Sequence, residues 1–254
     1  MEARDRAIDL YMTGIRDGRP HEALDRNIGA RYTQHSTGVA DGKDGFLEFF
    51  LPFLERNPIR DIQVVRSLQD GRHVFIQAYQ NLGNGDAEWV TMDFFDSDDE
   101  GKIIEHWDVI AAYSSSNPSG RSSVDGPTEI TDLDQTDANK AVVRELIEQV
   151  LMDGGDPMRI GEFIADDYLQ HNPEVGDGLE TFAKLAQDPN APLHYDEIFL
   201  MVGEGNFVAT LSKANWEGAP LCQADLFRLE NGKVVEHWDA SEPVTDDTTN
   251  SGKF

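Results

Sequence analysis

The 254-residue chain has a single cysteine, Cys222. One thiol excludes a disulfide framework and a cysteine-rich zinc site. Long apolar runs are also missing: no stretch approaches the roughly 18 apolar residues that a membrane-spanning helix needs. Positive charge is scarce, with 21 Lys and Arg against 48 Asp and Glu and a formal net charge of −27. Such a surface repels nucleic-acid phosphates and anionic lipid headgroups, so neither is an expected partner. Only seven of the basic residues are Lys, and Asp outnumbers Glu. This composition keeps a protein soluble and also suits a salt-rich cytoplasm, where salt screens self-repulsion. No glycine-rich phosphate loop or dinucleotide fingerprint opens a helix after a strand, so no cofactor is expected. Residues Met1 to Arg6 lead directly into a helical pattern, without the basic and apolar regions of a signal peptide. That predicts a cytoplasmic location.

What is present is a repeat. Glu105-His106-Trp107-Asp108 returns unchanged as Glu236-His237-Trp238-Asp239, each after a Gly-Lys turn and two β-branched residues. Tyr32, Gln34 and His35 match Tyr168, Gln170 and His171, and Asp93 matches Asp225. The offset is 136 at Tyr32 and Tyr168 and 131 at Glu105 and Glu236, a drift that a few loop gaps absorb. A period above a hundred residues indicates duplicated domains rather than a solenoid. Side chains alternate along a strand. His106 and Asp108 therefore share one face, and Glu105 and Trp107 share the other. A His and a carboxylate on one face suit proton transfer, metal binding or a structural hydrogen bond.

Each half reads as three helices followed by a mainly antiparallel, four-stranded meander, an α+β arrangement. Ala7, Ile8, Tyr11, Met12 and Ile15 are spaced for a helix over residues 4–17. Ala23, Leu24 and Ile28 mark a second helix, and residues 31–35 lead into a polar turn. Phe46, Phe49, Phe50 and Phe53 line a third helix, stopped at Asn57-Pro58. Asp70-Gly71 signals a hairpin. The two domains are expected over residues 1–113 and 138–243. Residues 114–137, rich in Ser, Pro and Gly, read as a flexible linker. The tail, 244–254, has no apolar period and is expected to be disordered. The third helix of the second half is shorter and less apolar, which predicts a smaller or more open pocket there.

The Tyr-x-Gln-His and Asp-Gly pair, the Asp-x-Phe strand and the Gly-Lys-[Ile/Val]₂-Glu-His-Trp-Asp strand resemble a SnoaL-like polyketide cyclase domain. That family lies within the nuclear transport factor 2-like superfamily, and the resemblance covers most of both halves. It implies a curved sheet wrapped by helices into a cone with an apolar pocket. It also implies pairing of such domains through their sheets, here as an internal pseudo-dimer with further oligomers open. In the cyclases a carboxylate on the last strand acts as general acid/base in an aldol-type ring closure, which assigns that role to Asp108 and Asp239. A histidine of the neighbouring strand assists there, and this chain has Asp93 and Asp225 near that place.

Asp93 and Asp225 are expected to face Asp108 and Asp239 across neighbouring strands. Two close carboxylates cannot both ionise cheaply, so one can hold a proton for an enolate oxygen while the other acts as base. Ketosteroid isomerase divides the work in this way. His106 and His237 are expected to orient the carboxylate or relay its proton. Tyr32, Gln34 and His35, with Tyr168, Gln170 and His171, sit at the start of a loop and are expected to contact substrate. Glu105, Trp107, Glu236 and Trp238 are expected to pack or to join domains. The function expected is cofactor-independent proton transfer on a small apolar carbonyl compound, as aldol cyclisation, isomerisation or dehydration. The alternatives are a noncatalytic protein that binds a small hydrophobic ligand, and a metal site built from His35, His106 and Asp108.

Overall fold

The structure, a computed structural model, describes residues 1–188, 190–246 and 249–254. Two compact units are present: Met1–Ala112 with Val244–Phe254, and Tyr113–Pro243. No helix among the described residues is long and apolar enough to cross a membrane.

The first unit opens with α1 (Ala3–Asp9), which continues as a π-helical segment from Leu10 to Arg16. Gly18, at a φ of 68°, lets the chain turn away, and Pro20 starts α2 (Pro20–Asn27) at the position where its missing N–H does no harm. Strand β1 (Ile28–Gln34) and helix α3 (Gly42–Arg56) follow. Strands β2 (Arg60–Asp70), β3 (His73–Leu82), β4 (Ala87–Ser97) and β5 (Ile103–Ala112) complete the unit. Their order in the sheet is β1-β5-β4-β3-β2. Ala7, Leu10 and Ile15 pack on Val74, Ile76 and Ala78 of the sheet, which forms the core between helices and strands. The apolar face of α1 and the alternation along β3 supply the two sides of that core.

The second unit repeats the plan with α4 (Thr136–Leu146), another π-helical segment (Ile147–Leu151), α5 (Ile160–Phe163), β6 (Ile164–Gln170) and α6 (Leu179–Ala186). Strands β7 (Leu193–Glu204), β8 (Phe207–Trp216), β9 (Ala219–Glu230) and β10 (Lys233–Pro243) follow, in the order β6-β10-β9-β8-β7.

The α+β expectation holds, but each sheet has five strands rather than four. The extra strands, β1 and β6, are the segments that carry Tyr-x-Gln-His, and they run parallel to β5 and β10. Both pairings shift register, between Ile28 and Thr33 of β1 and between Ile164 and Leu169 of β6, opposite Val234 and Glu236 of β10. Such a shift breaks the two-residue period. With two exposed residues in mid-strand, these segments do not look like strands in sequence.

The linker and the tail also differ from expectation. In the linker, the Asn117 amide donates to Gln170 O, Arg121 Nη1 pairs with Asp177 at 2.5 Å, and Trp238 Nε1 donates to Asp125 O at 2.9 Å. These bonds fix the segment to the second unit. In the tail, the Asn250 amide donates to Ser36 O and Val39 O at 2.6 and 2.9 Å. The tail is therefore held on the first unit, although Asp247 and Thr248 lie outside the described residues. The Asn and Ser side chains that made both stretches look flexible satisfy backbone groups of the neighbouring turn.

Candidate functional site

The first site is built on two paired strands. Asp93 of β4 and Asp108 of β5 are directly opposite each other. β1 brings Gln34 beside His106. The π-helical segment brings Tyr11 across the sheet. Gln34 Oε1 accepts from the backbone N–H groups of His35 and Ser36 at 3.1 and 3.2 Å, which identifies this atom as the oxygen. His106 Nδ1, 2.7 Å from the same oxygen, must then carry a hydrogen. His106 Nε2 faces Asp93 Oδ1 at 2.9 Å. A lone pair cannot face a carboxylate at that distance, so one proton lies between these atoms. The pair is either imidazolium with carboxylate or imidazole with carboxylic acid.

Asp93 is further held by the Tyr11 hydroxyl, which donates to Oδ2 at 2.6 Å. Burial, and then the Asp93 charge, raise the Tyr11 phenol well above its ordinary range, so it remains a donor. Asp108 Oδ2 accepts from Ser36 Oγ at 2.5 Å, and Lys253 Nζ lies 3.4 Å from its Oδ1. Asp93, His106 and Asp108 form one wall of a cavity of about 290 Å³. The remaining lining is largely apolar, with Leu10, Ile15, Phe46, Phe50 and Phe53 prominent.

The second site repeats the frame. Gln170 Oε1 accepts from the N–H groups of His171 and Asn172 and from His237 Nδ1, at 2.9, 3.0 and 3.1 Å. His237 Nε2 lies 3.1 Å from Asp225 Oδ1. Asp225 and Asp239 are directly opposite each other, as in the first unit. The Tyr195 hydroxyl reaches Asp225 at 3.0 Å. Tyr195 comes from β7 whereas Tyr11 comes from the N-terminal helix, so the same buried carboxylate receives a phenol from unrelated positions. Asn172 takes the place of Ser36 and donates to both oxygens of Asp239 at 3.1 and 2.8 Å. The cavity is about 330 Å³, so the shorter α6 does not make it smaller. His237 and Asp239 line it. Asp225 is fully buried and bonded by Gln223 Nε2 at 3.0 Å.

Tyr32 and Gln34 line the first cavity, and Tyr168 and Gln170 line the second. His35 and His171 are corrections to the expected substrate contacts. Successive residues of β1 point to opposite faces, so Gln34 facing the cavity turns His35 away from it. His35 stacks on Trp107 at 4.8 Å and bonds Glu105 Oε1 at 3.0 Å. His171 stacks on Trp238 at 4.6 Å and bonds Glu236 Oε1 at 2.9 Å. A metal site of His35, His106 and Asp108 is therefore not assembled. The groups whose ligand atoms lie within 4.8 Å of one another are Asp93, His106 and Asp108, and equally Asp225, His237 and Asp239.

Tyr11, Ser36, Asn172, Tyr195 and Gln223 were not singled out by sequence. Ser36 and Asn172 could have been, since each follows Gln-His in its copy. Tyr11 and Tyr195 carry no such signal.

Two outcomes follow from this geometry. Gln34→Leu roughly keeps the volume but takes the acceptor from the Ser36 N–H and from His106 Nδ1, while the His35 N–H keeps its bond to His106 O. It should destabilise the first unit by about 1–3 kcal/mol, and urea denaturation checks this. The second concerns pH. Burial pushes the His237 imidazolium down, but the hydrogen bond to Asp225 and the charges of Asp239 and Asp225 outweigh it and leave its pKa raised. Burial first, and Asp225 besides, raise Asp239 despite the His237 charge. Both groups bind protons more tightly folded than unfolded. Their stabilisation is complete below the unfolded values, about 3.9 for Asp and 6.5 for His, and is lost as pH rises through the folded ones. The second unit should therefore lose stability on going up from about pH 4 and again above about 6.5. Denaturation from pH 4 to 8 should show a shallower decline in Asp239→Asn; equal slopes would contradict the assignment.

Taken together, each unit is a helix-covered, five-stranded sheet that encloses a small-molecule-sized cavity with carboxylates and an imidazole at one wall. No known family model and no curated protein matches the chain. Among solved structures it is similar to a candidate ketosteroid isomerase from Kribbella flavida, at 13% identity and a TM-score of 0.39, over 44% of this chain and 84% of that one. It is similar to a candidate polyketide cyclase from Streptomyces antibioticus, at 18% identity and a TM-score of 0.37, over 43% and 92%. An NTF2-like protein of unknown function from Cytophaga hutchinsonii gives 18% identity and a TM-score of 0.36, over 46% and 96%.

Proposed function

We propose that the chain is an acid–base enzyme that moves protons on a small apolar carbonyl compound, without a cofactor. The observation that carries this reading is the Asp93–His106–Asp108 wall at the polar end of an otherwise apolar cavity. Asp108 serves as the base. It takes a proton from the carbon next to the carbonyl, and the electron pair moves into the enolate. The proton shared by His106 and Asp93 is the acid, donated towards the enolate oxygen as charge builds there. Reversal at another carbon gives isomerisation. Attack of the enolate on a second carbonyl gives cyclisation, and loss of hydroxide assisted by the same proton gives dehydration. The apolar walls exclude water and strengthen each of these interactions. Asp239 and the His237–Asp225 pair take the same roles in the second cavity.

The test needs no natural substrate. A small apolar ketone, 2-indanone, dissolved in D₂O with the protein should exchange its α-protons faster than in buffer, as read by ¹H NMR. Exchange at the buffer rate would remove the base assignment and leave the second reading, a noncatalytic pocket for an apolar ligand. A metal is the third reading, favoured by the same cluster of potential ligand atoms. Metal analysis of the purified protein separates it: a stoichiometric ion that survives dialysis would replace the metal-free reading.

A further inference from the structure

Lysine is almost never buried without a partner; Lys253 is buried, and Asp108 stands beside it. Its side chain is 5% exposed and that of Asp108 is 8% exposed, with Nζ 3.4 Å from Oδ1. The ammonium arrives from 145 residues away in sequence, so its position depends on how the tail is anchored. The anchors all lie on the segment that shapes the cavity rim. The Asn250 amide donates to Ser36 O and Val39 O. Ser251 Oγ donates to Asp41 Oδ2 at 2.9 Å, and His35 Nδ1 donates to Gly252 O at 2.5 Å.

The linker provides an internal comparison. It carries a related string, Asn117-Pro118-Ser119-Gly120-Arg121, against Asn250-Ser251-Gly252-Lys253 in the tail. It docks on the matching segment of the second unit: Asn117 on Gln170 O, the Asp177 N–H on Ser119 Oγ at 2.7 Å, and His171 Nδ1 on Ser122 O at 2.7 Å. Its cation stops at the rim, where Arg121 pairs with Asp177, the counterpart of Asp41. The donors to Asp239 are the neutral amides of Asn172 and Gln223.

We infer that Lys253 is the counter-ion of Asp108, that residues 249–254 complete the first site, and that the two cavities are for this reason chemically unequal. The consequence for turnover rests on the reading of Asp108 as the base. At 3.4 Å the ammonium is beyond the 2.7–2.9 Å typical of a charge-assisted hydrogen bond. It offsets the carboxylate's charge without closing off Oδ1, while Ser36 fixes Oδ2. Lys253 is thus a positioning residue: it keeps Asp108 oriented, and the reacting atoms meet Asp108 itself.

Two measurements on the full chain test this. The first is acetylation of lysine amines by an N-hydroxysuccinimide ester, followed by mass spectrometry, with exposed Lys43 as the internal reference. Asp108→Asn removes the pairing charge, so labelling of Lys253 should rise about tenfold, while Asp239→Asn leaves it unchanged. Labelling of Lys253 that ignores Asp108→Asn overturns the inference. The second is α-proton exchange of 2-indanone in an Asp239→Asn background, which isolates the first cavity. Lys253→Met, which fills the same space, should reduce exchange about tenfold, and Lys253→Arg should restore most of it. Equal loss in Met and Arg variants, with unchanged circular dichroism, overturns the positioning role. If labelling responds to Asp108→Asn but exchange does not, the counter-ion stands and the base reading fails.

Discussion

Replacing both Asp108 and Asp239 by Asn should lower α-proton exchange of 2-indanone by about 10²–10⁴-fold, the range typical of a lost general acid–base group. Asn matches Asp in size, and its amide oxygen can still accept from Ser36 or Asn172. The fold should therefore survive, and unchanged circular dichroism would confirm it. What is lost is the basic lone pair. Neither neighbouring group can replace it. In the first cavity Asp93 already shares its proton with His106 and accepts from Tyr11. In the second, Asp225 is fully buried. The single variants should divide unequally. Asp108→Asn should account for most of the loss, because Asp93 lines its cavity and Asp225 does not line the other. Turnover that persists in the double variant would move the chemistry off these strands.

Trp238→Ala should destabilise the second unit by about 3–5 kcal/mol, the range for deleting a wholly buried aromatic residue. Trp238 is 0% exposed. Its ring stacks on His171 at 4.6 Å, and its Nε1 bonds Asp125 O at 2.9 Å. Alanine leaves a void beside His171 and deprives a backbone carbonyl of the linker of its donor. The effect should spread to the linker, with faster proteolysis around residues 114–125 in the variant. Urea denaturation followed by circular dichroism measures the first part. A loss below about 1 kcal/mol would mean that the site collapses around the deletion instead of leaving a void. Trp107 has the same place in the first unit, stacked on His35, and is also buried. The conserved feature of the two copies is therefore a His–Trp–Glu packing unit as much as a reactive pair.

That packing bears on the sequence-based expectation for His35 and His171. The second face of Glu-His-Trp-Asp was expected to pack or to join domains; within each unit its observed work is to hold His35 and His171. The histidines were grouped with Gln34 and Gln170 because all four adjoin a polar turn. Had residues 28–34 been read as a strand, alternation alone would have placed Gln and His on opposite faces. The register shift and the exposed pair in mid-strand concealed it. The contacts of the linker and tail are hidden from composition for a related reason. Composition reports that Ser, Asn and Gly can be flexible, but not that a neighbouring turn offers carbonyls for their side chains to bind. The recurrence of Asn, Ser-Gly and a basic residue in both stretches was the available signal.

The sequence by itself determined the duplication, the α+β class, and the sharing of one face by His106 and Asp108. These depend on periodicity over a few residues and on identity between two copies, both of which are local. Tertiary structure decided which groups complete each site. Tyr11 and Lys253 reach their aspartates from 82 and 145 residues away, and Tyr195 does for Asp225 what Tyr11 does for Asp93. Contacts of that separation follow from how helices, tail and sheet pack, and no short-range pattern encodes them. The same packing makes the repeated strands unequal, with an ammonium beside Asp108 and, among the described residues, neutral amides donating to Asp239.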